Sequence, residues 1–264
     1  MNWKQTLFWS FSAAAIFYYF LLFGVFVFVG QEEMQLFIPE WWYIREFLFQ
    51  PGGFCAVAGQ WIIQYYRQPM SAVVLHTVLL VGCGFMLFLS LLPVLYLVKM
   101  SIHGEYLVDG TVGVVLMLLA LSVSLKVRRA GSIAGYGIAS TLFLCGLTGL
   151  LSVCYAFLYT LLALLRYKTS RQRLAAAACL IPALFIYLFS GWLGIPVPLS
   201  DGWMPEAYLE IQRLPHYYMY RVWTFFTLSI VGVALFARFV PVIGEKSKWM
   251  DRVALVVCLI TALV

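Results

Sequence analysis

The charged residues of this chain are confined to short stretches separated by long segments without any charge. All 17 Lys and Arg and all 11 Asp and Glu residues fall into seven such stretches. A charged side chain at the centre of a bilayer costs about 3 kcal/mol, and about 20 apolar residues cross the hydrocarbon core as a helix. The pattern therefore predicts an integral membrane protein. The uncharged segments are 5–31, 68–98, 110–125, 130–165, 174–200, 222–237 and 253–264.

Composition supports the same class, since 64% of the 264 residues are hydrophobic and 11% are charged. Soluble domains are roughly half apolar and a quarter charged, so a soluble globule is excluded. We expect an all-α fold: a polytopic transmembrane helix bundle of seven or eight hydrophobic segments, forming one transmembrane domain over 1–264. The last segment is too short to span, so we expect the chain to be the N-terminal part of a longer protein.

Two segments leave the topology open. Gly110 to Leu125 is short, and reads either as a short span or as a re-entrant element. Ala130 to Leu165 would make one helix of roughly 54 Å at 1.5 Å per residue, against a hydrocarbon core of about 30 Å. It is either a long, broken, tilted helix or a hairpin that turns at Cys145, Gly146 and Gly149.

Basic residues predict the orientation, because they accumulate on the cytoplasmic side of membrane proteins. With the N-terminus cytoplasmic, ten basic residues face inwards, whereas the outer loops 31–70 and 194–221 hold four. This asymmetry favours a cytoplasmic N-terminus, and the bacterial inner membrane is the location implied by a resemblance described below. Lys126, Arg128 and Arg129 lie outside if both ambiguous segments cross once, and inside if the first is re-entrant and the second a hairpin. The net charge of +6 needs no nucleic acid partner, because anionic lipid attracts basic residues near the membrane.

The first outer loop carries two patterns typical of interfacial helices. After Pro39, apolar residues recur at helical spacing on one face, and the sequence Pro51, Gly52, Gly53 breaks this helix. A second amphipathic stretch follows and is too short to span, so its rings are expected at headgroup depth. The first face holds Trp41, Ile44, Phe47 and Leu48, and the second stretch has Phe54, Val57, Trp61 and Tyr65 on one face with Gln60, Gln64 and Gln68 on another.

The second outer loop predicts a short helix over Pro205 to Glu210, which Pro215 ends. His216 then opens a run of aromatic residues that leads into the next span, as in the aromatic belts of membrane proteins. A metal site at His216 with Glu206 and Glu210 is disfavoured, because Pro215 separates the histidine from the two carboxylates.

Glu32 and Glu33 are the candidate catalytic residues. One carboxylate where the first helix leaves the bilayer can act as a general base, or bind a divalent cation over a lipid phosphate. The alternative is that both are solvated residues at a helix boundary. No resident cofactor or metal is predicted beyond that divalent cation.

The candidate substrate-binding residues are cationic side chains of the outer loops. A planar guanidinium binds a phosphate through two parallel hydrogen bonds. The alternative is that these side chains extend to anionic lipid headgroups. The residues are Arg45, Arg67, Arg213, Arg221 and His216.

Few other ionisable groups occur in the spans. His76 lies within the predicted span 68–98, which contains no Asp, Glu, Lys or Arg. The lack of a buried ionisable partner argues against an ion-coupled carrier. Cys55 is the one cysteine in an outer loop, so no disulfide is predicted there. The sequence has no glycine-rich phosphate loop, zinc-protease helix or nucleophile elbow.

Two resemblances bear on function. The stretch from Gln31, Glu32 and Glu33 through Pro51, Gly52, Gly53 and Phe54 to Gln64, Tyr65 and Tyr66 resembles an uncharacterised family of large multi-pass inner-membrane proteins from Bacteroidetes. That resemblance implies a domain of unknown function. The chain is also similar in architecture to the GT-C class of polyprenyl-dependent glycosyltransferases. In both, a first helix is followed by a long outer loop with two surface helices and an early acidic residue. This likeness implies that Glu32 or Glu33 holds the catalytic place.

Together these features predict a membrane protein whose outer loops bind a lipid-linked or envelope substrate. The predicted activity is that of a glycosyltransferase-like enzyme, and the predicted partners are membrane lipid and a polyprenyl-phosphate-linked substrate. The alternative is a non-enzymatic scaffold or assembly component that binds other membrane proteins. A transporter is the least favoured class, because the spans lack buried ionisable pairs.

Overall fold

The computed structural model describes residues 3–34, 37–87, 108–149 and 151–189, together with the isolated positions 94, 97, 98, 101, 192, 228, 230 and 231. These residues form helices and turns without a strand, as the all-α prediction requires. A 3-10 helix covers Gln64–Arg67. The α-helices are α1 (Trp3–Phe23), α2 (Val25–Met34), α3 (Trp41–Leu48), α4 (Gly53–Ile63), α5 (Pro69–Leu87), α6 (Val108–Ser124), α7 (Ala130–Thr148), α8 (Leu151–Arg166), α9 (Ser170–Ala177) and α10 (Leu180–Leu188).

Among the described residues, three helical segments are long and apolar enough to cross a membrane: Thr6–Phe23, Ala130–Thr148 and Ser170–Leu188. Shorter apolar helices cover Pro69–Gly82, Val108–Ser124 and Leu151–Arg166. The predicted segments 222–237 and 253–264 lie outside the described residues, except for 228, 230 and 231. A bundle of seven or eight spans therefore stays a prediction, and three apolar helices of spanning length are established.

The long segment 130–165 folds as a hairpin, so the second of its two alternatives is correct. α7 ends at Thr148, and Gly149 adopts a φ of 62°, a backbone conformation that glycine accepts most readily. α8 then runs back along α7, and the Tyr159 hydroxyl donates a hydrogen bond to the Ile133 carbonyl at 3.3 Å. Gly137 makes room for this packing, since a Cβ there would lie 2.9 Å from the Tyr159 ring.

α8 is enclosed by four other helices. It packs against α6, α7, α9 and α10, and its Tyr155 and Tyr159 are fully buried. The Tyr155 hydroxyl lies 2.7 Å from Ser124 Oγ, so the polar end of a buried ring is satisfied across the interface with α6. Buried hydroxyls need such partners in apolar surroundings, and this bond fixes how α6 and α8 align.

Two basic loops lie together at one end of the hairpin. The Tyr167 hydroxyl donates to the Val127 carbonyl at 2.7 Å, and the Gln172 amide donates to the Arg128 carbonyl at 2.7 Å. The stretch with Lys126, Arg128 and Arg129 is therefore on the same side as 166–173. That arrangement is the one expected when segment 130–165 is a hairpin.

α9 and α10 form one apolar segment with a local irregularity. Pro182 has no N–H, so the carbonyl of Ala178 loses its usual helical partner. The Ile181 N–H instead donates to that carbonyl at 3.2 Å, which tightens the chain into a short turn. The segment Ser170–Leu188 therefore keeps spanning length across the break.

Candidate functional site

The first outer loop contains the two helices that the sequence predicts. α3 covers Trp41–Leu48, and the turn at Pro51, Gly52 and Gly53 separates it from α4. Gly52 has a φ of 83°, and a Cβ on Gly53 would lie 1.6 Å from the Phe47 carbonyl oxygen. The turn is therefore possible only with two glycines.

α3 presents its aromatic residues to the surroundings. It has no buried residue, and Trp41, Trp42 and the following Phe49 are 67%, 62% and 79% exposed. The Arg45 guanidinium lies 5.7 Å from the centre of the Phe49 ring, within range of a cation–π contact. An aromatic surface with a cation at its edge is typical of the interface between membrane and water.

Glutamine side chains attach this surface to α4. The Tyr43 hydroxyl donates to Gln60 Oε1 at 3.1 Å, and Gln64 Nε2 donates to the Phe37 carbonyl at 3.5 Å. Two of the three glutamines on the polar face predicted for the second amphipathic stretch thus hold the loop, Gln60 in α4 and Gln64 in the 3-10 helix. Phe54, Trp61 and Tyr65 on the other predicted face are exposed.

α4 is packed more deeply than a helix resting on the membrane surface. Gly53, Cys55, Gly59 and Ile63 are buried, and the helix packs against α6 and α7. A Cβ on Gly59 would lie 2.7 Å from the Asp109 backbone nitrogen, so α4 and α6 touch backbone to backbone. Burial, and to a smaller extent the Asp109 carboxylate, raise the pKa of Cys55.

A buried Tyr–His pair lies beneath the loop. The Tyr66 hydroxyl in the 3-10 helix and His76 Nδ1 in α5 are 2.5 Å apart, a short hydrogen bond. The His76 ring stacks on Phe28 at 4.4 Å between centroids and meets Phe20 edge-on at 5.5 Å. Burial raises the pKa of Tyr66, so the phenol keeps its proton at neutral pH.

The predicted Glu32 and Arg67 lie on two elements that pack together around this pair, α2 and the 3-10 helix. Glu32 lies one turn after Phe28 in α2 and is half-buried, and Glu33 follows it in the same helix. Arg67 follows Tyr66 and is exposed. α2 packs against both the 3-10 helix and α5, so these two candidate elements are neighbours. Arg45 is carried separately on α3.

The remaining predicted site residues are Arg213, His216 and Arg221, and they lie outside the described residues. Within the ranges that the structure describes, no group of three or more His, Cys, Asp or Glu side chains is placed to hold a metal ion. The site as described is thus a half-buried carboxylate, a neighbouring cation and an exposed aromatic surface.

Comparison with known proteins identifies the family. A family model described as a family of unknown function (DUF6057) matches residues 1–261. The chain belongs to DUF6057. No curated protein and no solved structure matches it. The DUF6057 match agrees with the expectation of a domain of unknown function.

Two contacts of this DUF6057 chain were missed by sequence reasoning. Tyr66 was read only as part of the loop, although His76 was noted as a lone histidine in a span, and a buried histidine needs a polar partner. Asp109 was not selected as a candidate residue, yet it is buried against Gly59. The glycine in an amphipathic stretch was the available signal for a close helix contact.

Proposed function

We propose that this chain is a multi-pass inner-membrane protein, N-terminus cytoplasmic, whose outer loops act on a lipid-linked substrate. The observation that carries the proposal is the exposed aromatic surface of α3 and α4 with the exposed Arg45 and Arg67, together with the half-buried Glu32 on α2, a helix that packs against α4 and the 3-10 helix. Aromatic rings favour the headgroup region, and guanidinium groups bind phosphate there. Such a surface suits a substrate with a lipid chain and a phosphate.

The reaction class proposed is transfer of a sugar from a polyprenyl phosphate carrier. This reaction class is proposed from the architectural likeness to the GT-C class. We also propose that the family is one of inner-membrane proteins from Bacteroidetes. Glu32 or Glu33 would accept the proton of the attacking hydroxyl, either directly or with a divalent cation over the phosphate. Arg45, Arg67, Arg213, Arg221 and His216 would bind the phosphate groups, with Arg45 and Arg67 contributed by the first loop.

The test is transfer by the purified protein in lipid, with a panel of polyprenyl-phosphate sugars and the variants Glu32→Gln and Glu33→Gln. Loss of a general base typically costs about 10²–10⁴-fold in rate. We expect at least one variant to lose transfer by that amount. The matched control is Glu46→Gln, an exposed carboxylate on α3 that should retain the wild-type rate.

Folding is checked separately by gel filtration and helical circular dichroism of each variant. If Glu32→Gln and Glu33→Gln are both well folded and as active as Glu46→Gln, the catalytic assignment is wrong. If no donor in the panel is consumed by the wild-type protein, transfer from polyprenyl carriers is rejected as the activity.

One observation favours the second candidate, a membrane scaffold. α7 carries Gly131 and Gly135 four residues apart, and a Cβ at either position would meet nothing within 4 Å. Small residues at this spacing allow two membrane helices to approach closely. Replacing both with Leu should abolish co-purification of membrane partners if the scaffold reading is correct, and should leave sugar transfer unchanged if the enzyme reading is correct.

A further inference from the structure

The most strongly charged surface of the described structure is formed by the two basic loops at the end of the α7–α8 hairpin. We call this surface the basic platform, and its residues are Lys126, Arg128, Arg129, Arg166, Lys168, Arg171 and Arg173. Six of these side chains are exposed, and Arg173 is half-buried. The sequence contains no Asp or Glu between Asp109 and Asp201, so the loops have no acid of their own.

The two loops of the platform are joined by hydrogen bonds that do not use its charges. Tyr167 and Gln172 donate to backbone carbonyls of the other loop, at Val127 and Arg128. Burial raises the pKa of Tyr167, so this donor stays protonated. The Thr169 hydroxyl donates to Gln172 Oε1 at 2.8 Å, which fixes the amide in its bridging position. Two loops far apart in the chain therefore present one cationic surface.

Exposed apolar side chains occur on the helices that adjoin the platform. Leu174 directly follows Arg173 and is 76% exposed, and Val123 near the end of α6 and Tyr136 in α7 are also exposed. Two of the apolar segments of spanning length, Ala130–Thr148 and Ser170–Leu188, begin at these loops. The cations thus lie where the headgroups of a bilayer would meet the ends of the helices.

We propose that the basic platform binds the headgroup of an anionic phospholipid, with a preference for headgroups that carry two phosphates. Arg binds phosphate through paired hydrogen bonds, and cations from two loops can contact two phosphates at once. Basic pockets between membrane helices bind such lipids. The exposed apolar residues on the adjoining helices favour a lipid over a nucleic acid or an acidic protein, which would leave those residues uncovered.

A specific site differs from general attraction of basic loops to an anionic leaflet. General attraction depends on how many cations the protein carries, whereas a site depends on how the two loops are held together. The variant Gln172→Leu removes one inter-loop hydrogen bond and leaves every charge in place. It therefore separates the two mechanisms.

The experiment is native mass spectrometry of the full chain in detergent, titrated with diphosphatidylglycerol, phosphatidylglycerol or zwitterionic phosphatidylethanolamine. We expect diphosphatidylglycerol to bind most tightly. Each basic residue near a membrane surface contributes about fivefold in binding, so Arg128→Gln with Arg171→Gln should weaken binding about 25-fold. The control pair Lys4→Gln with Lys99→Gln removes the same charge elsewhere and should change binding less than about twofold. Gln172→Leu should reduce the preference for two phosphates several-fold.

Three results would overturn the proposal. The first is equal weakening by the platform pair and the control pair, which would mean that only net charge matters. The second is unchanged lipid selectivity in a well-folded Gln172→Leu variant. The third is tighter binding of a polyglutamate peptide or an oligonucleotide than of diphosphatidylglycerol, which would assign the surface to another class of partner.

Discussion

The contact between α4 and α6 predicts opposite effects for two glycine-to-alanine substitutions. In Gly59→Ala the new Cβ would lie 2.7 to 2.8 Å from the backbone N, Cα and Cβ of Asp109, closer than real Cβ contacts allow. Because backbone atoms cannot rotate away, the two helices must separate. Overpacking of this kind costs about 1–3 kcal/mol. Alanine also favours the helix by about 0.5–1 kcal/mol over glycine, so the net loss is smaller.

Gly82→Ala is the matched control, since a Cβ at Gly82 in α5 meets nothing within 4 Å. It should stabilise the protein by the helix preference alone, about 0.5–1 kcal/mol. The helix term is common to both variants, so the free energies of unfolding should differ by about 1–3 kcal/mol. Unfolding in mixed micelles with increasing sodium dodecyl sulfate, followed by circular dichroism, measures this difference. Equal stability of Gly59→Ala and Gly82→Ala would refute the close approach of α4 to α6.

Three further predictions concern other contacts. Tyr155→Phe removes the hydroxyl that pairs with the buried Ser124 Oγ, so the free energy of unfolding should fall by about 1–2 kcal/mol. The control Tyr136→Phe, on an exposed ring, should leave the free energy of unfolding unchanged in the same micelle titration. Equal effects of the two variants would argue against the buried hydrogen bond. The Cys55 thiol is buried and its pKa is raised, so maleimide at pH 7 should modify Cys55 only after denaturation. Mass spectrometry of the peptide that contains Cys55 measures the modification. Rapid labelling of the native protein would contradict the burial of Cys55. The single variants Lys126→Cys and Lys168→Cys should react with an impermeant maleimide from the same side of a sealed vesicle. Labelling from opposite sides would exclude the hydrogen-bonded contact between the two basic loops.

The extent of sequence prediction differs between local and long-range features. α3 and the turn after it were predicted, because both depend on neighbouring residues: helical spacing of apolar side chains, and two glycines after a proline. The hairpin at 130–165 was only one of two alternatives. Hydropathy is the same for a long helix and for a hairpin, and the choice is made by the turn at Gly149 and by the bond from Tyr159 to Ile133.

The candidate site shows the same division. Glu32 and Arg67 were selected from their positions at the ends of apolar segments, and the structure gives them neighbouring elements. The Tyr66–His76 pair was not selected, because nothing in the local sequence indicates which hydroxyl faces a buried histidine. Likewise, the match between Gly59 and Asp109 depends on how two separate helices meet, and a single sequence does not record that distance.

The turn between α3 and α4 has a consequence for assembly of the protein. The Gly52 N–H donates to the Gly146 carbonyl at 3.1 Å, and the same region touches Gly149 at the tip of the hairpin. The amide of Gly52 therefore gains its acceptor only when a segment synthesised much later has folded. The loop between α2 and α5 emerges early from the ribosome, but it reaches its final position after α7 has been made. A ribosome stalled before residue 149 should carry a first loop that proteases still cut.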